Sequence, residues 1–406
     1  MLLGHEMGLG KTPMAITIAR HCITSGEGCV LVVAPPVLLD QWRSEIMQWW
    51  PQATQSDIQV IRKGSDQPDP TAKFIVVSYP ILAGTKSHPN LHLRLTAAGK
   101  PYSTIVVDEA HALKASDSNR TRAIVPMLRA AAHVILMTGT PLANACASDV
   151  YPLLDGLCGG SAAIEMPPLR AWNVRYCHEA RKVWVGRRPI ERWVGVSDQH
   201  GAELHALLGE VMVRKRKEEV LHELPPKRRS KVVLQLKPSD LKAVCRQMAQ
   251  VSDVRGGLSG AEGGGNGVSG VSGSSGVDDV EEDDDCSGAS HPAPDIMDAF
   301  KLLAEAKASA VCEWLESTLL EGSDRQGERK TLIFAHHHSM HDAISGLLAK
   351  ALRAEEWIHI TGKTPQSERV DLLAKLRAQP QCRYGSVRQP HRCHAIAAMS
   401  LPPWHL

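Results

Sequence analysis

With 406 residues, 43% of them hydrophobic, the chain is long enough to bury the cores of two domains. Its formal net charge is only +2, so contact with a nucleic acid would depend on local basic patches and not on overall charge. Ten cysteines without a CxxC pair argue against a disulfide framework or a zinc module and for an intracellular protein, and no apolar run is long enough to span a membrane.

Four continuous apolar runs rich in β-branched residues alternate with helical patterns in the first part of the chain. Such runs are typical of strands covered on both faces, as in a parallel sheet. The predicted strands are 29–34, 74–78, 104–107 and 133–137. The helix between the first two has an apolar face, expected to lie in the core, that consists of Leu39, Trp42, Ile46 and Trp49. The predicted fold class is therefore α/β.

A Gly, Ser and acidic segment interrupts this pattern from about Ser252 to Pro294, and its composition predicts a disordered linker. The α/β pattern then resumes and predicts a second, shorter lobe. Its predicted elements are a helix near 297–320, a strand at 330–335, and helices near 340–352 and 365–377. The tail at 384–406 has no apolar period and no matching motif, and we interpret it as an alternative-frame or mis-spliced end.

The segment HEMGLGKT at 5–12 has the composition of a phosphate-binding loop. Glycines let backbone N–H groups approach an anion, and a following helix presents its positive end. The residues expected to contact the phosphates of ATP are Gly8, Leu9, Gly10, Lys11 and Thr12, with Thr12 also on Mg²⁺. The strict loop pattern has glycine where His5 stands, and the alternative is a chance glycine turn before a helix.

The segment DEAH at 108–111 directly follows a predicted strand. A carboxylate at the carboxyl end of a parallel strand points into the crevice where open α/β sheets bind ligands. We expect Asp108 to hold Mg²⁺ and Glu109 to orient and deprotonate the attacking water, with Lys11 as the third catalytic residue. The alternative is a solvated acidic turn that caps the next helix.

A third polar segment, TGTP at 138–141, follows the last strand of this part. The hydroxyls of Thr138 and Thr140 are placed to bond the DEAH carboxylates or His111, and so to couple the nucleotide state to a DNA-binding surface. Together, in this order, the three segments predict a nucleotide hydrolase.

These segments, with LVVAPPVLLDQW at 31–42 and IVVSYPIL at 75–82, resemble the first lobe of Swi/Snf-type ATPases among the superfamily two helicases. ITGKTPQSER at 360–369 resembles a second-lobe motif of the same group. The stretches that resemble the annealing-helicase (HepA-related) branch are RYC at 175–177, VMVRKRKEEVLHELPPKRRSKVVL at 211–234 and TLIFAHHHSMHDAI at 331–344.

The resemblance implies two RecA-like lobes with parallel sheets, a P-loop NTPase fold in which ATP and Mg²⁺ bind between the lobes. It also implies a nuclear DNA translocase on forked DNA or single-strand/double-strand junctions, with a single-strand-binding protein engaged through regions outside this chain. The predicted domains are a first ATP-binding lobe at 1–160, a helical extension with a basic brace at 161–236, a connection with the linker at 237–295, a partial second lobe at 296–380 and an aberrant tail at 381–406.

The chain departs from the family pattern in ways that bear on activity. His5 stands where the family usually has Asp, and Met14 where it has Gln. Few residues precede the loop, so we expect it to be weakly anchored. The last two family motifs, including an arginine finger worth about a thousandfold in rate, are not recognised after Arg377. The alternatives to a translocase are a catalytically impaired ATP- and DNA-binding fragment and an RNA-remodelling helicase.

Three further groups carry competing interpretations. A basic stretch resembles the family's brace, but phosphate contact, nuclear import and a solvated helix face are alternatives; it comprises Arg214, Lys215, Arg216, Lys217, Lys227, Arg228, Arg229 and Lys231. Trp172, Trp184 and Trp193 are expected to pack under a loop and not to stack on bases. No zinc site is expected from the histidines at 336–338 or from Cys382, His391, Cys393 and His394.

Overall fold

The computed structural model describes residues 1–26, 28–85, 87–142, 145–158, 166–185, 188–223, 231–236, 238–239, 241–242, 244–246, 296–320, 330–388 and 397–401. The chain forms two compact units, Met1–Pro226 and Lys227–Leu406. The predicted disordered linker at 252–294 lies outside the described residues, as do His391, Cys393 and His394. Among the helices that the structure describes, none is long and apolar enough to cross a membrane.

A seven-stranded parallel sheet forms the centre of the first unit, with strand order β3-β4-β2-β5-β6-β1-β9. Its strands are β1 (Leu2–Leu3), β2 (Val30–Ala34), β3 (Ile58–Val60), β4 (Phe74–Ser78), β5 (Thr104–Val107), β6 (His133–Met137) and β9 (Met212–Val213). The four predicted strands are confirmed, the first of them beginning one residue later than expected. The edge strand β9 directly precedes the basic stretch and lies far along the chain from its partner β1.

Helices cover both faces of this sheet. The α-helices of the first unit are α1 (Lys11–Thr24), α2 (Leu39–Trp49), α3 (Tyr79–Ala83), α4 (Asn119–Ala130), α5 (Tyr151–Cys158), α6 (Leu169–Tyr176), α7 (Gly201–Val211) and α8 (Lys217–Val220). Successive residues of β2 supply two different core clusters, Leu31 and Val33 on one face and Val30 and Val32 on the other. Burial on both faces explains why the strands are apolar without alternation.

The apolar face of α2 differs from the prediction at its carboxyl end. Leu39, Trp42 and Ile46 are buried, but Trp49 is 46% exposed and its indole N–H donates to Glu45 at 2.9 Å. The helix ends at Trp49, and the extended backbone of the next residue, with φ of −129°, brings Trp50 into the core instead. The prediction for Trp49 was therefore wrong, because Trp50, the first residue after the helix, takes the place in the core that helical spacing assigned to Trp49.

An antiparallel hairpin that the sequence pattern did not predict lies between α6 and α7. It consists of β7 (Glu179–Val185) and β8 (Arg188–Val194). Trp172 is buried beside it, where its indole N–H donates to the carbonyl of Ala147 at 2.9 Å and its ring packs on Tyr176 at 4.4 Å between centroids. Trp193 packs against the same core. Both contacts are those of packing residues, as expected, while the side chain of Trp184 lies outside the described residues.

A four-stranded sheet with order β11-β12-β10-β13 forms the second unit. Its strands are β10 (Lys330–Ala335), β11 (Trp357–Ile360), β12 (Tyr384–Arg388) and β13 (Ala397–Leu401), and its helices are α9 (Ile296–Leu315, continued by a π-helical turn), α10 (His338–Ala351) and α11 (Gln366–Ala378). The predicted strand and three helices are confirmed. One pair departs from the parallel arrangement of the sheet, because β13 runs antiparallel to β10.

The segment predicted as an aberrant tail, 381–406, contains β12, an inner strand of this sheet. It pairs in parallel with β10 and β11. Gly385 is closely enclosed: a Cβ there would stand 2.6 Å from Cδ2 of Leu332 and 3.2 Å from Cγ1 of Ile358. Apolar side chains of the neighbouring strands fill the space above a small residue, so β12 needs no apolar period of its own.

Candidate nucleotide-binding site

The phosphate loop connects β1 to α1 and contains two glycines that its backbone requires. Gly8 and Gly10 have φ of 82° and 70°, in the left-handed region that side chains with a Cβ adopt at a cost. Leu9 closes a turn by donating its N–H to the carbonyl of Glu6 at 3.3 Å. Lys11 and the half-buried Thr12 are then the first two residues of α1. The five predicted phosphate contacts thus lie in one loop and one helix start.

The ammonium group of Lys11 is held inside this loop. Its Nζ donates to the backbone carbonyls of His5 at 2.9 Å and Glu6 at 3.2 Å. Burial lowers the pKa of Lys11, and the nearby Glu109 and Asp108 carboxylates oppose that effect. A partly desolvated ammonium whose hydrogen bonds go only to neutral carbonyls fits an anionic ligand such as a phosphate.

Asp108 follows β5, and its carboxylate is buried and oriented by two donors. The indole N–H of Trp42 donates to Oδ2 at 2.9 Å, and the backbone N–H of Glu109 donates to Oδ1 at 2.9 Å. Burial raises the pKa of Asp108, while the Trp42 hydrogen bond acts in the opposite direction. The hydroxyl of Tyr79 donates to the Asp108 backbone carbonyl at 2.5 Å. The carboxylate is fixed in one orientation and keeps free lone pairs that could coordinate a metal ion.

Glu109 and His111 form a second polar group beside Asp108. Glu109 has φ of 48° and ψ of 49°, a left-handed conformation that costs a non-glycine residue about 1–3 kcal/mol. In this conformation its Oε2 lies 3.1 Å from Nδ1 of His111, and this contact lowers the pKa of Glu109. The same Nδ1 lies 3.1 Å from Oγ1 of the buried Thr138. Thr140 contributes its backbone N–H, which donates to Oγ1 of Thr138 at 3.1 Å.

Two residues of this site were not predicted to act in it. Sequence reasoning placed Trp42 in the apolar core, and Tyr79 appeared only within a family motif. Trp42 comes after β2, which neighbours β5 in the sheet. Tyr79 directly follows β4, which neighbours β2 on its other side. The carboxyl ends of parallel strands meet at one edge of a sheet, so both residues lie at the edge that holds Asp108, although the sequence pattern does not show which atoms they contact there.

The loop is anchored on both sides, so the expectation of weak anchoring was wrong. β1 pairs with β6 and β9, and beyond the strand the N–H of Gly4 donates to the carbonyl of Val213 at 2.9 Å. The N–H of Lys215 donates to Nδ1 of the buried His5 at 3.0 Å. Burial, and then the charges of Lys11 and Lys215, lower the pKa of His5. A neutral imidazole can accept this N–H, so His5 binds the loop to the basic stretch.

Comparison with known proteins agrees with these motifs. The family model described as the SNF2-related domain matches residues 1–261. The DNA annealing helicase and endonuclease ZRANB3 of Bos taurus is 29% identical over 384 residues, which cover 94% of this chain and 31% of that protein. The SWI/SNF-related matrix-associated actin-dependent regulator of chromatin subfamily A-like protein 1 of Xenopus tropicalis is 28% identical, with coverages of 93% and 34%.

The chain therefore spans about a third of the length of these relatives. Among solved structures, the Sulfolobus solfataricus SWI2/SNF2 ATPase core in complex with dsDNA matches 96% of this chain and 73% of that one, at 17% identity and a TM-score of 0.44. Because the family model matches more than half of the sequence and includes the phosphate loop, DEAH and TGTP segments, this chain belongs to the SNF2-related domain family.

Proposed function

We propose that this chain binds and hydrolyses ATP as the motor of a DNA translocase of the annealing-helicase type, which acts on forked or partly single-stranded DNA in the nucleus. The observation that supports this most directly is that Lys11, Asp108 and Glu109 lie at one edge of one parallel sheet. Lys11 begins the helix after β1, and both acids directly follow β5. The mutual charge effects of these three groups on their pKa values reflect their proximity.

Each residue has a distinct role in the proposed reaction. Gly8, Leu9 and Gly10 present the loop backbone to the phosphates, and Lys11 neutralises their charge. Thr12 and Asp108 hold Mg²⁺, which when bound offsets the negative charge on the phosphate oxygens. Glu109, whose pKa the His111 contact lowers, is ionised near neutral pH and orients the attacking water.

We further propose that His111 and Thr138 couple this site to DNA. Nδ1 of His111 lies 3.1 Å from both Oε2 of Glu109 and Oγ1 of Thr138, so a movement of Glu109 changes the hydrogen bonds of the TGTP segment. DNA is assigned as the partner because the relatives named above are described as a DNA annealing helicase and a chromatin regulator. Binding of a single-strand-binding protein would involve regions outside this chain.

Steady-state ATP turnover tests the proposal, measured without nucleic acid and with forked DNA, single-stranded DNA or RNA. We expect forked DNA to give the largest stimulation. Lys11→Ala should abolish ATP binding, whereas Glu109→Gln should retain binding and lose hydrolysis. Unchanged ATP affinity in Lys11→Ala would refute the site.

The same assay distinguishes the two alternatives. ATP and DNA binding without turnover under any condition would favour a catalytically impaired fragment. Stimulation by RNA above all DNA forms would favour an RNA-remodelling helicase.

A further inference from the structure

A second lysine from the basic stretch stands beside the phosphate loop. A Cβ built on Gly8 would lie 3.8 Å from both Cε and Nζ of Lys217, so this ammonium group is next to the loop backbone at one of its two glycines. The charge of Lys217 also contributes to the lowered pKa of Lys11, after the larger effect of burial. The two ammonium groups therefore face the same small region from different parts of the chain.

Backbone hydrogen bonds fix Lys217 in this position. After β9, the N–H of Glu6 donates to the carbonyl of Lys215 at 3.1 Å. The N–H of Lys217 donates to Oε2 of Glu6 at 2.6 Å, at the start of α8. The Glu6 carboxylate thus binds the backbone of Lys217, and within the described part of the chain no carboxylate forms a salt bridge with its ammonium group.

A cleft of about 310 Å³ separates the phosphate loop from this segment. His5, Gly8 and Leu9 line it on the loop side, and Lys215, Val220 and Leu221 line it on the other side. Its volume is at the lower end of the range for small-molecule sites, about 300–1,000 Å³. A phosphate that approaches the loop backbone at Gly8 would have the ammonium group of Lys217 at its side.

We propose that Lys217 is a second phosphate-binding lysine, so that the triphosphate lies between its ammonium group and that of Lys11. This inference depends on the proposed ATP site and adds to it a ligand from outside the first-lobe motifs. Repulsion between two ammonium groups that are held close together destabilises the site when no ligand is bound. An anion between them offsets that repulsion. Lys217 is solvent-exposed, so screening limits its contribution, and we expect it to strengthen ATP binding about tenfold.

The test is the dissociation constant of the full chain for ATP and for AMP, each with Mg²⁺, measured by displacement of a fluorescent nucleotide. We expect Lys217→Ala to weaken ATP binding about tenfold and AMP binding less than twofold, since AMP lacks the β and γ phosphates. Lys217→Arg, which keeps the charge, should stay close to the parent chain. Arg214→Ala is the matched control, because it removes one positive charge from the same segment and should change ATP affinity less than twofold.

Any result other than these would overturn the assignment of Lys217 to the ATP site. Unchanged ATP affinity in Lys217→Ala, with binding abolished in Lys11→Ala, would remove Lys217 from the site and leave the proposed function intact. Failure of Lys11→Ala to weaken binding would instead refute the proposed function itself. Equal losses for ATP and AMP would indicate a structural defect, and equal losses in Arg214→Ala would indicate general charge. Weaker DNA binding with normal ATP affinity would assign Lys217 to the DNA backbone.

Discussion

Replacement of Trp42 by Phe tests whether an apparent core residue orients Asp108, the carboxylate proposed to bind Mg²⁺. Trp42 and Asp108 are both buried, the latter 8% exposed, and the indole N–H donates to Oδ2 at 2.9 Å. Phe keeps an aromatic ring in the core and removes only the donor and part of the volume. A hydrogen bond to a charged group contributes about 1.5–3 kcal/mol, and the smaller ring adds about 1 kcal/mol of cavity cost. We therefore expect a loss of about 2–4 kcal/mol in the free energy of unfolding of the first unit.

A double-mutant cycle separates the hydrogen bond from the cavity. Urea unfolding of the parent chain, Trp42→Phe, Asp108→Ala and the double variant gives the coupling energy between the two side chains. The relevant transition is that of the first unit, which contains both Trp42 and Asp108 and which bound MgATP should stabilise. Trp172→Phe, which also removes an indole donor but one bonded to the backbone carbonyl of Ala147, serves as a control away from the site.

We expect a coupling energy of about 1.5–3 kcal/mol for Trp42 and Asp108 and a rise in the Mg²⁺ concentration that half-saturates ATP turnover in Trp42→Phe. Trp172→Phe should lower stability and leave the Mg²⁺ requirement unchanged. A coupling energy below about 0.5 kcal/mol, or an unchanged Mg²⁺ requirement in Trp42→Phe, would refute the reasoning and return Trp42 to a purely packing role.

Three further predictions test the loop, the proposed coupling group and the ion pair between α6 and α7. Gly8→Ala forces a Cβ into a left-handed backbone at φ of 82°, and we expect about 1 kcal/mol of lost stability by thermal unfolding and weaker ATP binding by titration. Thr138→Val removes the hydroxyl that contacts His111, so DNA stimulation of turnover should fall more than the turnover measured without DNA; equal losses would contradict a coupling role. The Arg175 guanidinium lowers the pKa of Glu203 to about 2, so its stabilising contribution is present above the ordinary value of 4.5 and is lost as pH falls towards 2. Melting temperatures of the parent chain and Glu203→Gln should therefore converge as the pH falls from 4.5 to about 2, and a constant difference would contradict this.

The parts of the fold that the sequence predicted are those whose residues carry their own signal. The strands at 74–78, 104–107 and 133–137 were predicted with their observed bounds, because burial on both faces of a sheet leaves a continuous apolar run. The same physics explains the missed elements. In β12 the buried position is a glycine, and apolar side chains of the neighbouring strands fill the space beside it. β1 and β9 have two residues each, which are too few to form a pattern. Their pairing depends on a contact between distant parts of the chain, which local composition does not encode.

The candidate site also contains residues that the sequence could identify and residues that it could not. Lys11, Asp108 and Glu109 could be named because each belongs to a short motif that follows a strand, and strand ends converge at one edge of a parallel sheet. Trp42, His5 and Lys217 could not, because their roles depend on which atom each side chain meets after folding. Trp42 lies on the apolar face of α2, where only its indole N–H distinguishes it from the neighbouring core residues.

His5 illustrates how such a contact changes the meaning of a sequence difference. Its position holds an acidic residue in the family pattern, and an acid there would also accept the N–H of Lys215. The buried imidazole accepts it through Nδ1 instead, and its lowered pKa keeps it neutral beside Lys11 and Lys215. The difference therefore removes one negative charge from the neighbourhood of the phosphates while it preserves the link between loop and basic stretch. A less negative loop favours an anionic ligand, so His5 is compatible with nucleotide binding at this site.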